Sequence, residues 1–205
     1  MGWMTVIYFD PPSVQGCLDT IVYLANPDEK NSAHLTIRGP SDDKPDIETI
    51  NQQLSGTELS VLGAASFFEG NQNTVFLRCD SLLLPTVWHK PNYAYNPHIT
   101  LYDGPSRSFA ERLVAILNQH RIFGLLRVGR VGAIRLMRGQ KSFDLRLGVP
   151  KERIHLLTGM MPEQAAEPNL PVWKRLHGIE RAATHLGSLL NPHLWSTPKR
   201  LTARS

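Results

Sequence analysis

Two short segments of the chain pair a histidine with a threonine two residues further on. His34 precedes Thr36, and His98 precedes Thr100. Each pair lies in a short apolar segment that a Gly-Pro dipeptide closes, a pattern that predicts a strand followed by a turn. Because side chains alternate between the two faces of a strand, the histidine and the threonine of each pair share one face. The apolar residues between them then face the opposite way, towards a core.

These residue types suit attack on a phosphodiester. An imidazole has an ordinary pKa of about 6.5, so it can take a proton from a nucleophile or give one to a leaving oxygen. Two imidazoles on opposite sides of the phosphorus atom would supply both transfers, each worth roughly 10²–10⁴-fold in rate. Threonine hydroxyls can donate hydrogen bonds to the non-bridging oxygens, whose charge must be held in the transition state. This chemistry needs no metal ion and no cofactor, and we expect neither.

The chain repeats itself around these pairs. Segment 34–41 is echoed by segment 98–106, with the two histidines 64 residues apart. A second echo, at an offset of 69 residues, relates Gly63-Ala64 to Gly132-Ala133. Two echoes in the same order predict a duplicated module that contains a histidine-bearing strand, a helix and a hairpin. A single His-x-Thr pattern would more often be structural, whereas two copies in one repeated frame favour a functional site.

We therefore predict an α+β fold. It consists of two duplicated βαββ-like modules, which form two lobes about a pseudo-twofold axis with a central cleft, plus a C-terminal helix. Residues 1–150 form this two-lobed domain, with the lobes at about 1–80 and 81–150. The second hairpin turns at residues 139–140 and ends in a strand over 142–147. Residues 151–205 are expected to be a linker and a helical extension, with a helix over 171–190 because its apolar residues recur at helical spacing.

Two further residues share the histidine faces if the strand alternation continues. Arg38 would lie beside His34 and Thr36, where it either pairs with a substrate phosphate or only caps the strand end. Tyr102 would lie beside His98 and Thr100, where it either stacks on a base or packs at the rim. We treat both as possible substrate contacts.

Composition and charge exclude several classes of protein. Of the 205 residues, 41% are hydrophobic and 20% are charged, and no apolar run reaches the roughly 18–20 residues of a membrane span. Two cysteines cannot form a disulfide framework. The first ten residues lack the features of a secretory signal, so we expect a cytoplasmic monomer with no membrane partner.

The net charge of +4 is unevenly distributed along the chain. Residues 1–60 carry a balance of −6, and residues 120–160 carry a balance of +7. The basic segment either attracts a phosphate-rich ligand or is a solvated strand face.

The two motifs, His34-Leu35-Thr36 and His98-Ile99-Thr100, resemble the signature of the two-histidine (2H) phosphoesterase superfamily. That group includes 2′-5′ RNA ligase-like proteins and cyclic nucleotide phosphodiesterases. The resemblance covers about residues 3–148 and implies a bilobal α+β fold with metal-independent chemistry on RNA-related phosphodiesters. It also implies that His34 and His98 are catalytic and that Thr36 and Thr100 bind the substrate phosphate. The 64-residue spacing is short for the family and indicates trimmed loops.

The sequence thus predicts a phosphodiesterase that uses two histidines as general acid and base. Its expected partner is an RNA terminus or a small nucleotide phosphodiester, with a 2′,3′-cyclic phosphate or a 2′-5′ linkage. The alternative is a non-catalytic RNA- or nucleotide-binding module of the same fold, and a third possibility is a protein-interaction domain that uses the C-terminal helix. Which histidine is the base, and whether hydrolysis or ligation is the physiological direction, stay open at this point.

Overall fold

The computed structural model describes residues 2–26, 32–90, 94–136, 151–165, 167 and 169–191. Within these residues the strands are β1 (Gly2–Asp10), β2 (Leu35–Ser41), β3 (Glu58–Glu69), β4 (Gln72–Asp80), β5 (His98–Gly104) and β6 (Gly124–Leu136). The helices are α1 (Pro12–Ala25), α2 (Ile47–Leu54), α3 (Leu84–Val87), α4 (Arg107–Gln119), α5 (Lys151–Thr158), α6 (Pro162–Ala165) and α7 (Val172–Leu190).

Local signals in the sequence account for where several helices begin. The Ser106 hydroxyl accepts a hydrogen bond from the backbone N–H of Phe109 at 3.3 Å, so it caps the first turn of α4. The Asp46 carboxylate caps α2 in the same way through the N–H of Thr49. Helix α1 begins at Pro12, where the missing N–H of proline costs nothing because a first-turn N–H has no partner within the helix.

The six strands are antiparallel and close in the order β1-β2-β5-β4-β3-β6. They form two groups of three, β2-β1-β6 and β5-β4-β3. One contact between the groups is the pairing of Leu35 with Ile99, and the other joins the starts of β3 and β6. The fold is therefore α+β, as the sequence predicted.

Strand pairing crosses the boundary expected near residue 80. Strand β6 lies beside β1 over nine residues, and β5 lies beside β4. Each group of three strands therefore draws on both halves of the chain. The strand predicted over residues 142–147 and its turn at 139–140 lie outside the described residues.

Helices cover one face of the strands and enclose the main hydrophobic core. Strand residues such as Ile7, Leu35 and Ile99 are fully buried in this core. The helix predicted over 171–190 is present as α7, and most of its apolar stripe packs into the same core, although Val172 is 46% exposed. The extension is therefore part of the body of the protein, and the expected linker contains the short helix α6. In the part of the chain that is described, no helix has both the length and the apolar character that crossing a bilayer requires.

Candidate functional site

The two His-x-Thr pairs meet where β2 touches β5. Leu35 and Ile99 are direct antiparallel partners and both point into the core. One residue to either side of this contact, antiparallel geometry sets His34 opposite Thr100 and Thr36 opposite His98. All four side chains then share the face turned away from the core. The two histidines are diagonal neighbours, a relationship that places Cβ atoms roughly 7–8 Å apart.

The four side chains differ in their exposure. His34, which immediately precedes β2, is half-buried, and so are Thr36 and His98, whereas Thr100 is exposed. All four are thus accessible to a ligand to some degree. Half-burial also weakens solvent screening, so charges brought between the imidazoles interact more strongly than on an open surface.

The same backbone contact orients both imidazoles. The Nδ1 of His34 lies 2.8 Å from the carbonyl oxygen of Ser32, and the Nδ1 of His98 lies 2.7 Å from that of Asn96. A carbonyl oxygen only accepts, so each Nδ1 carries the proton and donates it. The Nε2 of a neutral ring is then the basic atom, and in the charged ring it is a proton donor. Each histidine is therefore set to exchange a proton through Nε2.

An aromatic ring from the neighbouring strand contacts each histidine edge-on. Tyr8 of β1 meets His34 at a centroid distance of 6.3 Å, and Phe76 of β4 meets His98 at 5.3 Å. These contacts restrict the rotation of both imidazoles. Neither aromatic residue stands out in the sequence, because each is one apolar residue among several in its strand.

Helix α1 fixes the backbone that leads into His34. The Asp19 carboxylate accepts hydrogen bonds from the N–H of Ala33 and from the Gln15 side-chain amide, both at 2.8 Å. The same Gln15 amide donates to the carbonyl oxygen of Ala33, and its Oε1 accepts from the N–H of Phe9. Two side chains one helical turn apart thus tie β1 to the residue before His34.

The end of the same helix holds the strand that carries His98. The Asn26 amide donates to the carbonyl oxygen of Leu101 at 2.8 Å and accepts from the N–H of Asp103 at 3.2 Å. Arg175 of α7 in turn donates to the carbonyl oxygens of Leu24 and Ala25 at the end of α1. One helix therefore bonds to both histidine-bearing segments, and the C-terminal helix holds that helix in place.

Burial lowers the pKa of His98, and the charges of Lys90 and His34 lower it further against the opposing effect of the Asn96 carbonyl. The lowered pKa favours a neutral His98 imidazole at neutral pH. Lys90 follows a short segment that bridges β2 through Arg38 and His89. Sequence reasoning missed Lys90, because only the tertiary structure brings this segment beside His98.

The expectation that Arg38 and Tyr102 share the histidine faces is wrong for the same reason in both cases. The register of β1 with β2 skips Ile37, and the register of β4 with β5 skips Leu101. Each skipped residue is a β-bulge, which turns the following side chain to the opposite face. An alternation argument has no means of detecting such an extra residue.

The structure shows where the two bulges direct these side chains. Arg38 donates from Nε to the carbonyl oxygen of Val87 at 2.7 Å, so it caps the end of α3. Tyr102 is buried in the core against Phe109, and its hydroxyl accepts from the N–H of Ser106. Neither residue is placed to contact a ligand at the histidines.

Two arginines lie near the histidines, one on β4 and one on β6. Arg78 is the direct partner of His98 in the β4–β5 register, and its Nη2 lies 3.5 Å from the carbonyl oxygen of Leu62. Arg130 is the partner of Tyr8, with its guanidinium carbon 4.5 Å from the ring centroid. Arg130 belongs to the basic segment 120–160, and the positive charge of that segment is the sequence feature that pointed to it.

Both cysteines are buried in the core rather than exposed at this site. Burial raises the pKa of Cys17 to about 11 and that of Cys79 to about 12, so neither thiol is ionised at neutral pH. Among the described side chains, no three His, Cys, Asp or Glu residues cluster as metal ligands. A groove of about 640 Å³ lies between the β3–β4 turn and residues 103–105, at the opposite end of β5 from His98.

Comparison with known proteins adds no relative to these observations. No protein-family model matches the chain, and no curated protein matches it. The argument for function therefore depends on the geometry of the site.

Proposed function

We propose that the protein is a phosphodiesterase of the two-histidine type, acting on RNA-related or cyclic nucleotide phosphodiesters. The observation that carries this proposal is the pair of imidazoles diagonal across the β2–β5 contact, each with Nδ1 bonded to a carbonyl oxygen. A phosphate between them would meet one Nε2 on either side. The resemblance of the His-x-Thr motifs to the 2H phosphoesterases points to the same substrate class.

A pseudo-twofold relation between the halves of the site supports this proposal. Exchanging β2 with β5, β1 with β4 and β3 with β6 maps the closed strand order onto itself. The bulge at Ile37 follows Thr36, and the bulge at Leu101 follows Thr100. The same exchange therefore relates the two His-x-Thr segments together with the irregularity that ends each of them.

A second pair of bulges obeys the same exchange. The β3–β4 register skips Leu62, and the β1–β6 register skips Gly129, which lies 67 residues later. At that offset Leu59 corresponds to Leu126, and these two residues pair directly. Four of the five register irregularities in the described strands therefore fall in two matched pairs, which favours a duplicated module. In the proposed arrangement, the face that carries the four His and Thr side chains lines a central cleft.

The proposed hydrolysis assigns a separate role to each imidazole. Neutral His98 takes a proton from water at Nε2 as the water oxygen forms a bond to phosphorus. Protonated His34 gives its Nε2 proton to the ribose oxygen as the phosphorus–oxygen bond to that group breaks. A 2′,3′-cyclic phosphate and one water then become a phosphomonoester. The lowered pKa of His98 supports its role as the base.

The proposed role of the threonine hydroxyls is to stabilise the negative charge on the phosphate. Thr36 and Thr100 lie opposite the two histidines, and in the proposed reaction their hydroxyls would donate to the non-bridging oxygens. Such donors contribute most when the charge develops in the transition state, because they are already oriented.

The experiment is turnover of 2′,3′-cyclic nucleotides and 2′-5′-linked RNA in the presence of EDTA. We expect His34→Ala and His98→Ala each to lose roughly 10²–10⁴-fold in kcat/KM. His185→Ala is the matched control, because this histidine is exposed on α7, and it should retain full activity. If both alanine variants keep the turnover of the wild type, the proposal is contradicted. Binding of these ligands without turnover by the wild type would identify the non-catalytic alternative.

A further inference from the structure

Arg130 of β6 lies on the His34 side of the site and has no role in the proposed reaction. It lies directly across from Tyr8, and its guanidinium carbon is 4.5 Å from the centroid of that ring. The Tyr8 ring contacts His34 with its neighbouring edge. His34, Tyr8 and Arg130 therefore form a row across three adjacent chain segments, from the start of β2 over β1 to β6.

The ring beneath the guanidinium is held in place. Tyr8 is only 5% exposed and forms a small buried cluster with Val6 and Ile134, separate from the main core. A Cβ at Gly132 would lie 3.0 Å from Cε2 of Tyr8, so this glycine leaves the ring its room. The cation–π contact at 4.5 Å holds the guanidinium beside this fixed ring, and its N–H donors match the oxygens of a phosphate.

The spacing places Arg130 beyond the reacting phosphate. Neighbouring strands lie about 4.7–4.9 Å apart, so β6 is roughly 10 Å from β2. The Arg130 guanidinium lies over the Tyr8 ring on β1, so it is one to two strand spacings, roughly 5–10 Å, from the His34 imidazole. The phosphate held between the imidazoles lies on the other side of His34, so the position of Arg130 suits the next phosphate of a nucleic acid strand. Exposed cations beside aromatic rings are the usual means of following a single strand.

We propose that Arg130, seated on Tyr8, binds the phosphate next to the reacting one, so that the preferred substrate is an oligonucleotide end. This inference rests on the proposed function for the position of the reacting phosphate. On the His98 side the contacting ring is Phe76, and the residue across from it on β3 is Ala65, which carries no charge. The bound strand therefore leaves the histidines over β1 and β6.

The test compares a 2′,3′-cyclic mononucleotide with a trinucleotide that ends in the same cyclic phosphate. We expect Arg130→Gln to lower kcat/KM about tenfold for the trinucleotide and less than about twofold for the mononucleotide. The slope of log(kcat/KM) against log[salt] for the trinucleotide should become shallower by about 0.7, the loss of one phosphate contact on a single strand. Arg112→Gln, an exposed arginine on α4, is the matched control and should change neither substrate.

Retained turnover of the mononucleotide shows that the variant is folded. An equal loss for both substrates, or no loss for the trinucleotide, would overturn the inference. If the wild type turns over neither substrate, the proposed function fails, and fluorescence anisotropy of a labelled trinucleotide 3′-phosphate tests the inference separately. A weaker, less salt-dependent complex with Arg130→Gln than with Arg112→Gln would support it, and identical binding would overturn it.

Discussion

The His34 half and the His98 half of the site share their geometry and differ in their electrostatics. Each imidazole donates from Nδ1 to the carbonyl oxygen two residues before it, and each meets an aromatic edge from the next strand. Beside His98, however, burial and Lys90 lower the imidazole pKa. Beside His34, the neighbouring Tyr8 carries the cation of Arg130 instead.

This difference shows how two similar histidine segments could take different roles in the proposed reaction. Hydrolysis of a phosphodiester needs one neutral and one protonated imidazole at the same time. Identical backbone contacts can aim two rings at one phosphate, but they cannot give the rings different protonation states. Lys90, which lies outside the repeated motif, would supply part of that distinction by lowering the pKa of His98. We therefore expect substitutions at both positions of a motif pair to act through the same contact with phosphate, with a size that follows the exposure of each side chain, and substitutions outside the motif to separate the two halves.

Apart from the histidine substitutions, the largest effect should come from the threonines. Thr36→Val and Thr100→Val each remove a hydrogen-bond donor, and we expect kcat to fall roughly 10²–10³-fold for Thr36. The loss for exposed Thr100 should be roughly tenfold smaller, because solvent screens its contribution. Thr36→Ser and Thr100→Ser keep the hydroxyl and should retain most of the activity in the same assay. Equal activity of the Val and Ser variants would contradict the phosphate-binding role.

The next largest effect concerns the hydrogen bonds that hold each histidine-bearing segment in place. Asp19→Ala removes a buried acceptor next to His34, and we expect a loss of about 1.5–3 kcal/mol in the free energy of unfolding, measured in urea. Asn26→Ala should lose about 1–3 kcal/mol by leaving the Leu101 carbonyl without this donor. Asp42→Ala, at an exposed carboxylate, is the control and should stay within about 0.5 kcal/mol.

NMR signals of the two imidazoles then distinguish the role of Asp19 from that of Asn26. Asp19→Ala should shift the His34 resonances more than those of His98, and Asn26→Ala should do the reverse. Equal shifts of both histidines in both variants would mean that α1 acts on the site as one rigid support.

A smaller effect concerns the second arginine. Arg78 lies beside His98, and its guanidinium is directed at the carbonyl oxygen of Leu62. In the proposed reaction it would be closer to the reacting phosphate than to the next one. We expect Arg78→Gln to lower kcat/KM about threefold for mononucleotide and trinucleotide alike, because a partly screened charge contributes about 0.2–1 kcal/mol. A loss confined to the trinucleotide would give Arg78 the role proposed for Arg130 and remove the asymmetry between the halves.

The smallest expected change is a shift in the pH profile. A base must be neutral to act, so the acid limb of kcat/KM follows the pKa of His98, which burial first and then the charges of Lys90 and His34 hold below its ordinary value. Lys90→Met removes one of these positive charges, so the pKa of His98 rises and the acid limb moves to higher pH. The alkaline limb should stay in place.

Lys90→Arg is the matched control, because it keeps the charge and should leave the acid limb unchanged. The profile is measured as kcat/KM against pH, together with an NMR titration of His98. An acid limb that moves downward in Lys90→Met would assign the base to another group.

Much of this fold could be predicted from local patterns. The apolar segments and Gly-Pro turns locate the strands of Thr36 and His98, and the spacing of apolar residues locates α7. The serine before α4 gives its start. These signals are short in range, since they arise from hydrogen bonds within one turn and from the alternation of side chains along one strand.

The site could be predicted only where the alternation holds. It holds for His34 and Thr36 and for His98 and Thr100, because no bulge separates them. It fails at Arg38 and Tyr102, since the bulges at Ile37 and Leu101 depend on how neighbouring strands align. The pairing of β6 with β1 depends on contacts more than a hundred residues apart in the sequence.

The sequence by itself thus determined the chemical groups of the two motifs, the strand type that carries them and the helical character of the C-terminal segment. Only the tertiary structure decided that Lys90 lies beside His98, that Arg130 lies on Tyr8 and that α1 bonds to both histidine-bearing segments. The physical reason is that residue type and spacing fix what a side chain can do and which way it points along its own strand. Electric fields and neighbours across strands depend instead on how distant segments pack in three dimensions.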